Sequence, residues 1–295
     1  MKQSGRIRAA IELLDEIFAF RQPADNTVNV YFRTHRYIGG GDRREISALV
    51  WYVLRRYGRL RSVLGKIPTG REAALAALHY QGAAVETLFD GEKYSPAPLT
   101  AAEREMLEKL PAELPDAVAE CPDWLRGRID DADIRAMVDE ASLDLRVNTL
   151  KTTREEVLKQ LAQTGIEAEK TPCSPVGVRV NGRVNVTALP VYTDGMVEIQ
   201  DEGSQIVSLL TQAAAGQVVI DWCAGGGGKT LALSAMMNAK GTLYAADANV
   251  KRLRDLPERA GRAGANNVIL LNDYNNLKMY DLVLIDAPCT GTGTW

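Results

Sequence analysis

The sequence predicts a multidomain α and α/β protein. An all-helical domain spans residues 1–140, a small α+β module spans 141–200, and an open parallel α/β sheet runs from 201 to 295. Three observations carry this reading. Apolar residues recur at helical spacing early in the chain, as in Ile7, Ala10, Ile11, Leu14, Ile17 and Phe18. Period-two alternation starts at Leu143-Asp144-Leu145-Arg146-Val147. From Gly216 onward, short apolar runs alternate with helical stretches, the pattern of parallel strands joined by right-handed crossovers.

In chain order, helices are expected over 6–20 and 28–37. The run Gly39-Gly40-Gly41 breaks the second, and Asp42 is placed to cap a helix over 43–57, whose buried face is Ile46, Leu49, Val50, Val53 and Leu54. Pro68-Thr69-Gly70 precedes a helix over 71–80, and shorter helices follow near 101–110, 115–119 and 132–142. In the module, a helix over 153–163 closes at Gly165, and the runs 176–180 and 184–186 flank Asn181-Gly182 as a hairpin would. Asp201-Glu202-Gly203-Ser204 opens a helix to about residue 214. Strands are expected over 218–221, 243–247, 268–271 and 282–286, with helices over 229–237 and 250–262 between them.

Composition excludes several classes. The chain has 295 residues, 46% hydrophobic and 25% charged, which is ordinary for a water-soluble globular protein. No apolar run approaches the ~20 residues of a membrane span. The N-terminal stripe is broken by Glu12, Asp15 and Glu16, so it reads as an amphipathic helix and not a signal peptide. Cys121, Cys173, Cys223 and Cys289 are scattered, with no CxxC and no nearby His, which argues for a reducing cytoplasm and against a disulfide frame or a metal site. A cytoplasmic monomer is expected. The net charge of −3 hides an imbalance: residues 33–71 hold ten Lys/Arg against two acids, and residues 101–144 hold thirteen acids against five bases. In the basic stretch, Arg33, Arg36, Arg43, Arg44, Arg55, Arg56, Arg59 and Arg61 are interleaved with Tyr31, Tyr37, Trp51, Tyr52 and Tyr57. That mixture suits a nucleic-acid backbone and its bases, and equally suits a solvated helix face over buried aromatics.

The stretch Asp221-Trp222-Cys223-Ala224-Gly225-Gly226-Gly227-Gly228-Lys229-Thr230 follows a buried strand and opens a helix. A phosphate-binding loop, GxxxxGK[ST], would need glycine where Cys223 stands. The dinucleotide pattern GxGxxG, begun at Gly225, ends on Thr230. The pattern acidic-x-G-x-G-x-G of S-adenosylmethionine (AdoMet) methyltransferases fits, with Asp221, Gly225 and Gly227 in register and Cys223 at the first glycine. Small residues let the backbone turn sharply against a cofactor. Each later strand ends near an acid, Asp247, Asp273 or Asp286, and strand carboxyl ends form the cofactor crevice of such sheets. Asp247 is placed for ribose hydroxyls and Asp273 for adenine. A single strand-end acid would more simply be a helix cap; four beside this loop point to a cofactor.

Asp286-Ala287-Pro288-Cys289 brings an acid and a thiol to the same crevice. That pairing suits methylation at C5 of cytosine, a carbon that needs activation by thiolate addition at C6 before it attacks a methyl donor. On chemistry alone Cys289 would be that nucleophile, with Lys229 as the nearby cation lowering its pKa; the bland alternative is a small buried apolar residue.

The run DWCAGGGGKT resembles motif I of the RsmB/NOP/Sun family of RNA cytosine-5 methyltransferases, and YDLVLIDAPCTGTGTW resembles its motif IV. Leu145-Arg146-Val147-Asn148-Thr149 and the stretch 197–204 are similar to two further family segments. Gly41-Asp42-Arg43-Arg44 and the helical pattern around it look like the NusB-like RNA-binding domain of bacterial members. The resemblance covers essentially the whole chain, with Gly225-Gly226 where Ala-Pro is usual. It implies a Rossmann-like AdoMet domain and AdoMet contacts by Cys223, Ala224, Gly225, Gly226, Gly227, Gly228, Lys229, Asp247, Asp273 and Asp286. It also implies RNA as partner, ribosomal by expectation, and no membrane or metal. In the RNA family the nucleophile is a second, downstream cysteine, and the Pro-Cys cysteine assists product release. The resemblance therefore gives Cys289 the release role and places Asp286 near the target base. The family continues past the position of Trp295 to that second cysteine, so the expectation is a truncated chain, inactive alone. The alternatives are a non-catalytic RNA-binding protein working through the basic helical domain, and an AdoMet enzyme with another target.

Overall fold

A computed structural model of the protein describes residues 1–138, 140–182, 184–271 and 279–289. The chain divides into a unit from Met1 to Glu140 and a unit that begins at Ala141.

The first unit contains helices α1 (Gln3–Phe18), α2 (Ala24–Thr34), α3 (Gly40–Leu54), α4 (Tyr57–Leu64), α5 (Gly70–Tyr80), α6 (Val85–Leu88), α7 (Ala101–Glu108) and α8 (Asp131–Met137). Helix α5 reads Ala73-Ala74-Leu75-Ala76-Ala77, and all five are fully buried. A helix apolar all round belongs at the centre, and its alanines let neighbours approach closely. Ala10, Leu13 and Leu14 of α1 and Val50 and Val53 of α3 fill the same core. Capping boxes, Thr69 with Glu72 and Thr100 with Glu103, start α5 and α7.

Two expectations change here. Asp42 does not cap α3: Gly39 is the N-cap, and the Asp42 carboxylate instead takes the Met1 ammonium at 3.0 Å and Arg6 at 3.2 Å. The helix expected over 43–57 ends at Leu54, and α4 starts separately, its first amides satisfied by Glu120, which accepts from Gly58 N at 2.7 Å and Arg59 N at 3.1 Å. An acid sixty-two residues away supplies the anion a helix N-terminus favours.

The second unit opens with β1 (Leu143–Val147), α9 (Arg154–Gln163), β2 (Ala168–Lys170), β3 (Gly177–Val180), α10 (Pro190–Thr193), β4 (Val197–Ile199) and α11 (Glu202–Leu210). The strands form an antiparallel sheet ordered β2-β3-β1-β4. The hairpin expected across Asn181-Gly182 is absent. Strand β3 already has β2 on one edge and β1 on the other, so residues 184–186 find no edge to pair with, and Val186 is buried in a 3-10 turn, Val186–Ala188. Strand β1 is buried on both faces: Asp144 is held by Arg179 at 2.8 and 2.9 Å, and Arg146 by Gln200 at 2.7 Å.

Next come β5 (Val218–Asp221), α12 (Gly228–Met236), β6 (Thr242–Ala245), α13 (Leu256–Ala263), β7 (Val268–Leu270) and β8 (Leu282–Leu284). The sheet is parallel and ordered β7-β6-β5-β8. The helix expected over 250–262 is a 3-10 turn, Val250–Leu253, followed by α13, because Pro257 restricts the residue before it and sits at a helix start. Buried Asn148 reaches across from β1, donating through Nδ2 to the carbonyls of Gly195 and Ala263, each at 2.8 Å. Lys151 does the same for Asp194 at 2.8 Å and Arg262 at 2.6 Å, so the last carbonyls of α13 are capped by the β1 segment. Among the described residues no helix is long and apolar enough to cross a membrane, and no group of three or more His, Cys, Asp or Glu is placed to hold a metal.

Candidate functional site

The glycine loop joins β5 to α12 and is tied down on both sides. Trp222 N donates to Leu284 O of β8 at 2.9 Å, and Ala224 N to Ala246 O beyond β6 at 2.9 Å. Gly225 has φ +53° and Gly227 φ +85°, left-handed conformations that suit glycine. A Cβ on Gly227 would lie 2.2 Å from the Leu256 side chain. Gly225, which departs from the family's Ala, thus occupies a conformation that alanine would resist.

The strand-end acids gather around this loop. Asp221 is 1% exposed; its Oδ2 accepts from Thr230 Oγ1 at 2.7 Å, while its Oδ1 is buried with no hydrogen-bond partner among the described residues. Burial pushes its pKa up to about 6; the Thr230 hydrogen bond and the Lys229 charge oppose the shift, and Asp286 adds to it. Between roughly pH 4 and 6 the folded chain holds a proton that the unfolded chain has lost, so stability falls as pH rises through that window. Asp221→Asn is expected to abolish this slope and raise stability at pH 8 by up to about 3 kcal/mol, read from thermal melts at pH 4, 6 and 8.

Asp247 lies two residues beyond β6, with its Oδ2 accepting from Gly225 N at 2.9 Å and its Oδ1 from Asn249 N at 2.8 Å. Lys229, at the start of α12, donates to Asp286 Oδ2 at 2.7 Å. Its charge is therefore spent on Asp286, and no hydrogen bond or ion pair links it to the exposed Cys289 among the described residues. Burial raises the Cys223 thiol pKa, and the charges of Asp247, Asp221 and Asp286 raise it further, against Arg252. Asp273, the fourth strand-end acid, lies outside the described residues.

Three residues escaped the sequence reading. Arg259 donates through Nη1 to Gly226 O in the loop and through Nη2 to Glu198 Oε2 at 2.7 Å. Arg262 donates to the other oxygen of Glu198 at 2.5 Å, so this fully buried acid of β4 holds two arginines. The available signal was an acid inside a short apolar strand and two arginines at i, i+3 on one helix face.

The basic cluster of the first unit separates into two groups. Arg59 pairs with Glu120 at 2.8 Å, Arg55 with Glu140 at 3.8 Å, Arg43 donates to Ile38 O, and Arg56 lies over the Tyr52 ring. Arg33, Arg36, Arg44 and Arg61 are exposed and have no ion pair among the described residues. Tyr31 is core, Trp51 and Tyr52 are half-buried against it, and Tyr57 rests on Phe18; Tyr37 alone of the five is exposed.

Comparison with known proteins gives two family matches. Residues 208–295 match the 16S rRNA methyltransferase RsmB/F family, and residues 122–187 match the RsmF/B-like ferredoxin-like domain. The probable ribosomal RNA small subunit methyltransferase B of Synechocystis is 31% identical over 59% of this chain and 42% of its own length. The 26S rRNA (cytosine-C(5))-methyltransferase nsun-1 of Caenorhabditis elegans is 33% identical over 50% of this chain and 24% of its own. The chain thus spans less than half the length of these relatives. A methyltransferase homolog from Pyrococcus horikoshii superposes with TM-score 0.50 at 32% identity, covering 55% of each chain. The glycine loop lies within the first family match and the antiparallel strands β1 to β3 within the second, and on these grounds the chain belongs to the RsmB/NOP/Sun family.

Proposed function

We propose that this chain serves AdoMet-dependent methylation at C5 of cytosine in RNA, with ribosomal RNA as the substrate. The observation that carries the reading is the glycine loop at the carboxyl ends of parallel strands, ringed by Asp221, Asp247 and the Lys229–Asp286 pair. The residues fit the cofactor: the loop offers close backbone approach, and Asp221 Oδ1, without a partner among the described residues, is a buried acceptor beside it. AdoMet supplies an electrophilic methyl group. Residues 223–229 would hold its methionine part, Asp247 its ribose hydroxyls and Asp273 its adenine. Asp286, fixed by Lys229, would orient the target base, and Cys289 would assist release of the methylated product. In this reading residues 1–140 are a NusB-like RNA-binding domain and residues 201–295 are Rossmann-like, in a cytoplasmic monomer that acts on a flipped-out base.

Calorimetric titration of AdoMet into the chain should show one site, and Asp247→Ala should weaken it by about tenfold or more. No heat of binding to the parent chain would sink the cofactor assignment. The target is tested separately by bisulfite sequencing of ribosomal RNA from cells with and without the gene. A cytosine protected only when the gene is present is expected; identical conversion patterns would refute ribosomal RNA as substrate.

A further inference from the structure

The first unit carries two adjoining clefts outside the proposed crevice. One, of about 740 Å³, is lined by Lys2, Arg8, Glu12, Tyr37, Lys93 and Tyr94 among others. The second, of about 660 Å³, shares Arg8, Glu12, Lys93 and Tyr94 with it, so Tyr94 stands at the divide between them. Tyr37 is 72% exposed and Tyr94 65% exposed. Neither hydroxyl has a hydrogen-bond partner among the described residues, so the rings are not held out to satisfy a buried group.

Tyr94 is also held in an unusual backbone state. It is the third residue of a turn closed by Ser95 N donating to Glu92 O at 2.8 Å, and its φ is +74°. Glycine is the residue of choice there. The turn is fixed by its neighbours: Gly91 N donates to Pro96 O at 3.0 Å, and buried Ser95 Oγ donates to Ser4 Oγ at 2.9 Å. An aromatic kept in a glycine position and pushed into solvent does nothing for the core.

Charge selects the ligand. The first cleft sets three cations, Lys2, Arg8 and Lys93, against one carboxylate, Glu12. Glu12 is already shared by Arg8 Nε at 3.0 Å and Tyr31 OH at 3.3 Å. Lys93 lies over the Tyr94 ring at 5.1 Å, and Lys2 pairs at 2.9 Å with Glu92, an exposed carboxylate that lines the second cleft. Arg71, in the second cleft, is committed to Glu103. Tyr37 follows directly on Arg36, and Arg33 and Arg44 of α2 and α3 are likewise exposed and unpaired among the described residues. Exposed rings spaced along a cationic groove give bases a face to stack on and phosphates a counter-charge.

We propose that these clefts form a binding site for single-stranded RNA, with Tyr94 and Tyr37 as stacking platforms and Lys2, Arg8 and Lys93 facing the phosphates. The choice of RNA over DNA rests on the function proposed above; the stacking site itself does not.

The test is fluorescence anisotropy of a labelled 12-nucleotide oligouridine with the full chain at 50 and 200 mM salt. Tyr37→Ala with Tyr94→Ala should weaken binding by about tenfold or more, and Lys93→Gln should reduce the salt dependence. Tyr94→Gly guards against a folding artefact: it relieves the left-handed backbone, so it should melt no lower than the parent and still lose affinity. AdoMet titration of the same variants should match the parent. A double variant that binds oligouridine as tightly as the parent overturns the proposal, as does equal affinity for a 12-base-pair duplex. Because this readout needs no methyl transfer, it stands or falls independently of the crevice.

Discussion

Glu198→Ala is expected to destabilise the second unit by about 3–5 kcal/mol, the cost of removing one partner from a buried ion pair. Glu198 is the carboxylate between Arg259 and Arg262, and Arg146 is buried close enough to feel both Glu198 and Arg259. Burial already pushes the Arg146 guanidinium down to about 10, yet it stays charged at neutral pH. Without Glu198, the three guanidinium groups have no ion-pair partner left among the described residues. The melting temperature of the unit should fall by roughly 10 °C. Glu198→Gln, which retains both acceptor and shape, should lose less. Because Arg259 also binds the Gly226 carbonyl, AdoMet affinity should fall in parallel with the melt. A variant with unchanged melting temperature would show that the arginines reach solvent at little cost.

Gly227→Ala should weaken AdoMet binding by about 100-fold, near 3 kcal/mol. Two effects act together. At φ +85° an alanine is strained, and its Cβ would meet Leu256 Cδ1 at 2.2 Å and Cγ at 3.2 Å. Leu256 is fully buried at the start of α13 and cannot swing away without opening the core. The loop or the helix start must move, and either displaces the backbone that faces the cofactor. Gly228→Ala is the control: it is the first residue of α12, with no atom nearer than 3.5 Å to the added Cβ, so thermal stability should be kept or slightly raised. Equal affinity of Gly227→Ala and the parent would show that the cofactor does not lie along this turn.

The parts of the site that could be read from the sequence were those whose chemistry is local. Asp221 through Thr230 sit in one strand–turn–helix, and Asp247 and Asp286 follow apolar runs of strand character, although the second, β8, is the outermost described strand of its sheet and leaves Val283 and Ile285 exposed. The parts that could not be read depend on pairs far apart in the chain. Glu198 meets Arg259 and Arg262 across sixty-one and sixty-four residues, and an acid inside a short apolar strand signals that a partner is needed without saying which. Glu120 supplies the acceptors for the start of α4 from sixty-two residues away. The expected hairpin that did not form has the same origin: Gly182 does take a turn conformation, at φ +79°, but edge availability is a property of the finished sheet. Alternation in β1 marked a strand, but not that its polar face is buried, where Arg179 and Gln200 cover Asp144 and Arg146.

Asn148 and Lys151 tie the turn at residues 194–195 to the end of α13. This constrains how such a protein can be recombined. A crossover near residue 200 would inherit the cap from one parent and the helix end from the other, and mismatched parents would leave buried carbonyls open. A crossover near residue 140 exchanges neither. Shuffled libraries of relatives should therefore yield folded chimeras at the first junction and depleted ones at the second, with Asn148 and the 262–264 segment passing to offspring as one heritable block.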